Sequence, residues 1–235
     1  MNLLKKVKRK IVLFIKPQGK FTEEVLFWEE FLSGSGPHAQ YFQELSTRQG
    51  RKKYFPEDIL TLISKFKKKL PSILDCGSGP YSNLSYAQEA KLALVTAVDP
   101  LANDYAGLLH KFRLSYPIIP VKGHAESLIS LFGSNTFDVV YSRNALDHVQ
   151  NVQQAFGEMT HVCKPKGFIS IEGKPYEGTR RRWKGLHKHN LYAQKDGLYS
   201  QEPDGTVIKL NEKLPVTLRR ITHLSSWFSI LFQKK

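Results

Sequence analysis

The chain has 235 residues, 41% of them hydrophobic and 24% charged, a composition that excludes a wholly disordered protein. Lys and Arg total 35 against 21 Asp and Glu, a net charge of +14, and two cysteines exclude a disulfide framework or a cysteine-rich zinc cluster. The apolar run over residues 11–15 is too short to cross a bilayer. We therefore expect a single-domain, cytoplasmic protein.

The N-terminal third of the chain is predicted to be a basic tail followed by helices. Residues 1–20 carry seven Lys or Arg and no acid, with a short apolar stripe. Such a segment favours peripheral contact of residues 1–16 with the anionic inner face of a membrane. Its alternative is a solvated basic surface. Residues 21–70 are expected to form a cap of three helices, over 21–33, 39–50 and 57–69.

From residue 71 onward the pattern changes to short apolar strands separated by helical stretches. The strand candidates are SILDCGSGP, LALVTAVDP, YPIIPVKGHAESL, FDVVYSRNAL and KPKGFISIEGK, with a helix over 152–162 before the last of them. Alternation of this kind predicts an α/β domain over 71–235 with a mostly parallel sheet.

A candidate ligand site lies at the ends of the first two predicted strands. The first strand runs into Gly77 and Gly79, and the second ends at Asp99, 20 residues after Gly79. Glycines permit a close ligand approach, and an acid in that position can accept both ribose hydroxyls of a nucleoside. Ser82 stands where a dinucleotide site has its third glycine, and Asp75 would repel a pyrophosphate. A nucleoside ligand with a cationic amino group fits better than NAD.

Five segments in sequence resemble the motifs of class I S-adenosylmethionine-dependent methyltransferases. They are ILDCGSGP, TAVDP, KGHAESL, FDVVYSRNALDHV and VCKPKGFISIEGK, and the resemblance covers residues 70–175. It implies a Rossmann-like sheet, mostly parallel with an antiparallel last strand, flanked by helices, and S-adenosylmethionine as cofactor. GSGP, NALDHV and GLHKHN are also similar to methyltransferases found with bacterial surface-polysaccharide enzymes.

The resemblance implies a set of cofactor-binding residues. Those expected near the methionine part are Asp75, Gly77 and Gly79. Those expected at the ribose and adenine are Asp99, Pro100, Leu101, Ala125 and Glu126, and those beside the sulfonium are Ser142 and Asn144. Tyr81 stands where the family often has a third glycine, which puts the local geometry of the turn in question.

A hydroxyl acceptor needs a group that takes its proton, and the end of the fourth strand offers one. His148 is the first choice as base because histidine titrates near neutral pH, and Asp147 is placed to orient it. His187 and Glu172 are further catalytic candidates. Asp147, His148 and His187 can in principle bind a metal, but an adjacent pair is not usual ligand spacing, so no metal is assigned.

An insertion over about 175–212 is expected to cover the substrate. It is basic, and a hairpin turn is predicted at 203–205. Candidate acceptor-binding residues are Arg180, Arg181, Arg182, Trp183 and His187, since arginines suit a phosphate or carboxylate and tryptophan stacks on rings. The alternative is an exposed basic loop.

These observations favour O-methylation of a hydroxylated acceptor, an anionic or lipid-linked glycan. A small-molecule methyltransferase acting on quinones or natural products is the main alternative. The charge of +14 leaves an RNA methyltransferase open, but the fourth-strand motif SRNA lacks the signature of base-amino methylation, so nucleic acid is disfavoured. A non-catalytic scaffold is disfavoured by Asp75, Gly77, Gly79 and Asp99. The oligomeric state is not predicted.

Overall fold

The structure, a computed structural model, describes residues 21–36, 56–66, 69–224 and 226–235. The basic tail and the predicted helix over 39–50 lie outside these ranges. In the part of the chain that is described, every helix is too short or too polar to span a bilayer.

A seven-stranded sheet forms the centre of the protein. Its strands are β1 (Ser72–Cys76), β2 (Leu94–Asp99), β3 (Val121–Lys122), β4 (Phe137–Arg143), β5 (Cys163–Gly173), β9 (Val216–Leu224) and β10 (Trp227–Lys234). Their order in the sheet is β3-β2-β1-β4-β5-β10-β9. Strands β1 to β5 pair in parallel, and β10 runs antiparallel to both of its neighbours. The predicted Rossmann-like sheet, mostly parallel with an antiparallel last strand, is confirmed.

Helices cover both faces of the sheet. They are α1 (Thr22–Leu32), α2 (Glu57–Ser64), α3 (Ser85–Glu89), α4 (Ala102–Lys111), α5 (Leu128–Phe132), α6 (Val152–Val162) and α7 (Glu177–Arg180), with 3₁₀ turns at Ala125–Ser127 and Leu146–His148. The predicted helices over 21–33 and 152–162 are confirmed.

Two predicted elements are shorter than their sequence patterns indicate. The helix expected over 57–69 ends at Ser64, one residue after Ile63, its last buried side chain. The third strand shrinks to Val121–Lys122. Pro117 and Pro120 have no N–H for a strand ladder, which leaves little of the candidate segment able to pair.

Three apolar clusters hold these layers together. Side chains of α6 pack on one face of the sheet, around Phe156 and Met159, and those of α2 pack on the other, around Ile59 and Leu62. The third cluster joins α1 to α4 and to the loop after β1, and it includes Tyr105. Helix α1 is thereby placed beside the carboxyl ends of β1 and β2.

The insertion carries a three-stranded antiparallel sheet of its own. Its strands are β6 (Asn190–Gln194), β7 (Gly197–Gln201) and β8 (Val207–Lys209), and the predicted hairpin turn at 203–205 joins the last two. Leu191, Leu198 and Leu210 are buried in the same cluster as α6. The insertion is therefore packed on the main domain at the edge where the strands end.

Candidate active site

The glycine-rich turn after β1 lies at the carboxyl edge of the sheet. Gly77 and Gly79 have φ values of +75° and +67°, which favour glycine. The Gly77 N–H donates to the Val98 carbonyl oxygen at 2.8 Å, which ties the turn to β2. A side chain at Gly77 would overlap Ala145 in the loop after β4. The two loops therefore meet at one point of the edge.

Asp99 ends β2 beside this turn and is only 7% exposed. One carboxylate oxygen accepts the Gly79 N–H at 2.9 Å and the other accepts the Leu101 N–H at 3.0 Å. Burial raises the pKa of Asp99 to about 6, although both hydrogen bonds oppose that rise. Each oxygen keeps a second lone pair, so the residue can still accept ribose hydroxyls as predicted.

Asp75 is 2% exposed and lies one strand away from Asp99. The Ser82 hydroxyl donates to its carboxylate at 2.5 Å. Burial raises the pKa of Asp75 to about 7, and the charge of Asp99 adds to that rise. A cationic group close to this carboxyl would favour its ionised form. Two buried acids and a glycine turn thus fit a ligand that joins a ribose to an ammonium.

The residues expected around the adenine are close together, but one is already engaged. Leu101 is buried against the aromatic cluster of α1 and α4, and Pro100 and Ala125 are partly buried. The Glu126 carboxylate accepts the Gln150 N–H at 2.6 Å, just before α6. The Glu126 side chain is therefore used within the chain itself, to hold the segment before α6.

Ser142 and Asn144 stand where β4 ends. The Ser142 hydroxyl is 1% exposed and makes no hydrogen bond within the described residues, an unusual state for a buried polar atom. Asn144 has a φ of +50°, and its N–H donates to the Glu172 carbonyl oxygen at 2.8 Å. The bend turns the chain toward the histidine-bearing segment that follows.

Asp147, His148 and His187 come together and form what we call the histidine cluster. The His187 Nδ1 lies 2.6 Å from the Asp147 Oδ2, and the His148 Nε2 lies 3.2 Å from the His187 Nδ1 and 3.5 Å from the same oxygen. Burial alone would raise the pKa of Asp147. The hydrogen bond from His187 and the charges of both histidines outweigh burial and lower that pKa.

Glu172 takes part in a different group of side chains. The Tyr141 hydroxyl donates to its carboxylate at 3.2 Å, and the Arg143 Nε lies 3.6 Å away. Burial raises the pKa of Glu172, although Arg143 and Tyr141 oppose the rise. Among the described residues, no hydrogen bond or ion pair joins it to the histidine cluster.

The basic loop before β6 lies at the surface, and two of its arginines face one carboxylate. Arg180 and Arg181 lie 3.8 Å and 3.4 Å from the Glu177 carboxylate, and both are exposed. Arg182 and Trp183 have φ values of +56° and +55°. The Trp183 ring folds back over Gly178. Of the predicted acceptor-binding residues, only His187 joins the histidine cluster.

Two further residues shape the site: Trp28, which the sequence did not single out, and His189, which the sequence offers with His187 as a further candidate base. Trp28 of α1 lies against the glycine turn, since a Cβ at Gly79 would come 3.2 Å from its ring. The ring nitrogens of the buried His189 face the Glu202 carboxylate at 2.8 Å and the Val149 carbonyl oxygen at 3.1 Å. A sequence pattern marks α1 as amphipathic but does not say where it packs.

Comparisons with known proteins agree with this geometry. Residues 74–171 match the model of a family described as a methyltransferase domain. No curated protein sequence matches the chain. An S-adenosylmethionine-dependent methyltransferase from Aquifex aeolicus is similar in structure, with a TM-score of 0.52, 14% identity, and 92% of this chain and 99% of that chain covered.

A second similar structure holds a cofactor product. It is the 1,6-didemethyltoxoflavin-N1-methyltransferase from Burkholderia thailandensis with bound 1,6-didemethyltoxoflavin and S-adenosylhomocysteine. Its TM-score is 0.51 at 15% identity, and the alignment covers 93% of this chain and 92% of that chain. Both likenesses show the fold. The matched domain and the two buried acids indicate S-adenosylmethionine as the cofactor.

Proposed function

We propose that the protein is an S-adenosylmethionine-dependent methyltransferase that methylates a hydroxyl of a glycan or lipid-linked saccharide. The observation that carries the proposal is the histidine cluster at the end of β4, since an alkyl hydroxyl keeps its proton near neutral pH and needs help to lose it. One buried carboxylate and two imidazoles provide that help within a single small volume.

The cofactor supplies a methyl group already activated by its sulfonium. The chain's own residues then hold the reactants in line and take up the hydroxyl proton. We assign the cofactor's ribose to Asp99, its ammonium to the vicinity of Asp75, and the acceptor side to His148 and His187. The exposed Arg180, Arg181 and Arg182 are proposed to attract an anionic acceptor.

A small heterocyclic or phenolic acceptor is the second candidate. It is favoured by the structural likeness to the toxoflavin methyltransferase, whose acceptor is a small heterocycle. Acceptors with an acidic proton need less help from a base, so they would depend less on the histidine cluster.

Methyl transfer from labelled cofactor to glycan precursors, phenols and RNA tests the proposal. We expect label in a methyl ether of the saccharide. His148→Ala should slow this reaction by roughly 10²–10⁴-fold and leave the affinity for S-adenosylhomocysteine unchanged. His110→Ala is the matched control because this exposed histidine lies on α4, outside the site. Label in RNA alone, or full activity of His148→Ala toward the saccharide, would contradict the proposal.

A further inference from the structure

The histidine cluster contains three nitrogen and oxygen atoms that can bind a metal, and only two of them form a short hydrogen bond with each other. A carboxylate accepts, so His187 Nδ1 donates its proton to Asp147 over 2.6 Å. The His148 Nε2 then faces a nitrogen that already carries a proton, at 3.2 Å. Its distance of 3.5 Å to the Asp147 oxygen is at the limit of a hydrogen bond. One proton is therefore shared among three atoms, each of which has a free lone pair once that proton is removed.

We propose that Asp147 Oδ2, His148 Nε2 and His187 Nδ1 bind one divalent transition-metal cation. Two imidazoles with one carboxylate suit Zn²⁺, Fe²⁺, Co²⁺ or Ni²⁺ better than the all-oxygen sites that Mg²⁺ and Ca²⁺ prefer. All three ligand atoms lie within 4.8 Å of one another, and the Asp147 side chain is buried.

The separations of the ligand atoms agree with such a site. Two ligands of a tetrahedral zinc ion, each bonded at about 2.0–2.1 Å, lie about 3.3 Å apart. The two distances from His148 Nε2 are 3.2 Å and 3.5 Å. The remaining distance, 2.6 Å between His187 and Asp147, is that of a hydrogen bond. It must widen by several tenths of an ångström when the cation replaces the proton.

Main-chain bonds hold the cluster in place before any cation arrives. The Asp147 carbonyl oxygen accepts the Lys188 N–H at 2.8 Å and the His189 N–H at 3.3 Å, so the two ligand-bearing segments are joined directly beside their side chains. The His189 ring, fixed between Glu202 and Val149, braces the same junction. A site that is already ordered loses less entropy on binding.

The cation would also change how the acceptor is activated. It would occupy the lone pairs of both ring nitrogens, so the acceptor hydroxyl, its pKa lowered by the cation, would release its proton to water instead. The oxygen would then attack the methyl carbon of S-adenosylmethionine, and the carbon–sulfur electron pair would pass to sulfur. This use rests on the proposed function, whereas binding of the cation does not.

Titration with Co²⁺ tests the site. Untagged protein is treated with a chelator, desalted, and titrated with Co²⁺ while its visible absorption is recorded. We expect one Co²⁺ per chain in the wild type and in His110→Ala. His187→Ala and Asp147→Asn should each bind at least roughly 100-fold more weakly, since even outer partners of a metal ligand change affinity by 10–100-fold.

Binding of S-adenosylhomocysteine separates a lost ligand from a lost fold. Both variants should keep wild-type affinity for it, and that result with weakened Co²⁺ binding supports the site. Wild-type protein that binds no Co²⁺, or folded variants that bind it as tightly as the wild type, would overturn it. Co²⁺ binding at the cluster without methylation of any saccharide would support the metal site and contradict the proposed function.

Discussion

Replacement of Gly77 by alanine tests how closely the glycine-rich turn after β1 packs against the loop after β4. Gly77 has a φ of +75°, and an added Cβ would overlap the Ala145 side chain. The left-handed conformation costs an L-residue about 1–2 kcal/mol. Forcing an extra methyl group into a packed site costs about 1–3 kcal/mol. Gly77→Ala should therefore lower the free energy of unfolding by about 2–5 kcal/mol.

Two companion variants separate the two contributions. Gly205 also has a positive φ, +89°, and nothing lies within 4 Å of the place that an added Cβ would take. Gly205→Ala should thus show the backbone cost alone, about 1–2 kcal/mol. Ala145→Gly removes the overlapping methyl at a cost of about 0.4–1 kcal/mol in chain entropy. Combined with Gly77→Ala, it should recover about 1–3 kcal/mol.

Urea denaturation of the wild type, the three single variants and the double variant measures all of these terms. The double-mutant cycle gives the coupling between positions 77 and 145 directly. If Gly77→Ala is as stable as Gly205→Ala or more so, or if Ala145→Gly rescues nothing, the two loops do not meet as described. In that case the position of the histidine cluster relative to the glycine-rich turn would also be wrong.

Three further predictions follow from the site and the tail. Asp99→Ala should weaken S-adenosylhomocysteine binding by about 1.5–3 kcal/mol in calorimetry, and it should also lower stability because two backbone N–H groups lose their acceptor; unchanged affinity would refute its role. The pKa of Asp75 is raised to about 7 in the folded state, so between about pH 4 and 7 the folded protein keeps a proton that the unfolded chain has lost. The contribution of Asp75 to stability therefore falls as pH rises from about 4 to 7. The wild type should lose up to about 4 kcal/mol more than Asp75→Asn over that range, and parallel pH profiles in urea would contradict this. Deletion of residues 1–16 should preserve turnover and weaken sedimentation with anionic vesicles, where each Lys or Arg contributes about 1 kcal/mol, and equal sedimentation would exclude membrane contact.

The sequence by itself determined the class of fold and brought together the residues expected at the cofactor end of the site. An apolar run, a glycine turn and an acid at the next strand end are local patterns, and parallel strands bring their carboxyl ends to one edge. Asp75, Gly77, Gly79 and Asp99 could therefore be placed together without coordinates. The antiparallel last strand was expected from the resemblance to a family, which these local patterns made visible, whereas the strand order came from the structure.

Only the tertiary structure showed which residues come together where we propose that the acceptor binds. Asp147 and His187 are 40 residues apart, and their contact depends on how the insertion packs on the sheet. No periodicity encodes that distance, so an adjacent Asp–His pair was an incomplete sign of a three-residue cluster. The same holds for Trp28, whose helix is recognisable from its pattern while its resting place over Gly79 is not. Local patterns report each residue's neighbours along the chain, whereas long-range packing selects its neighbours in space.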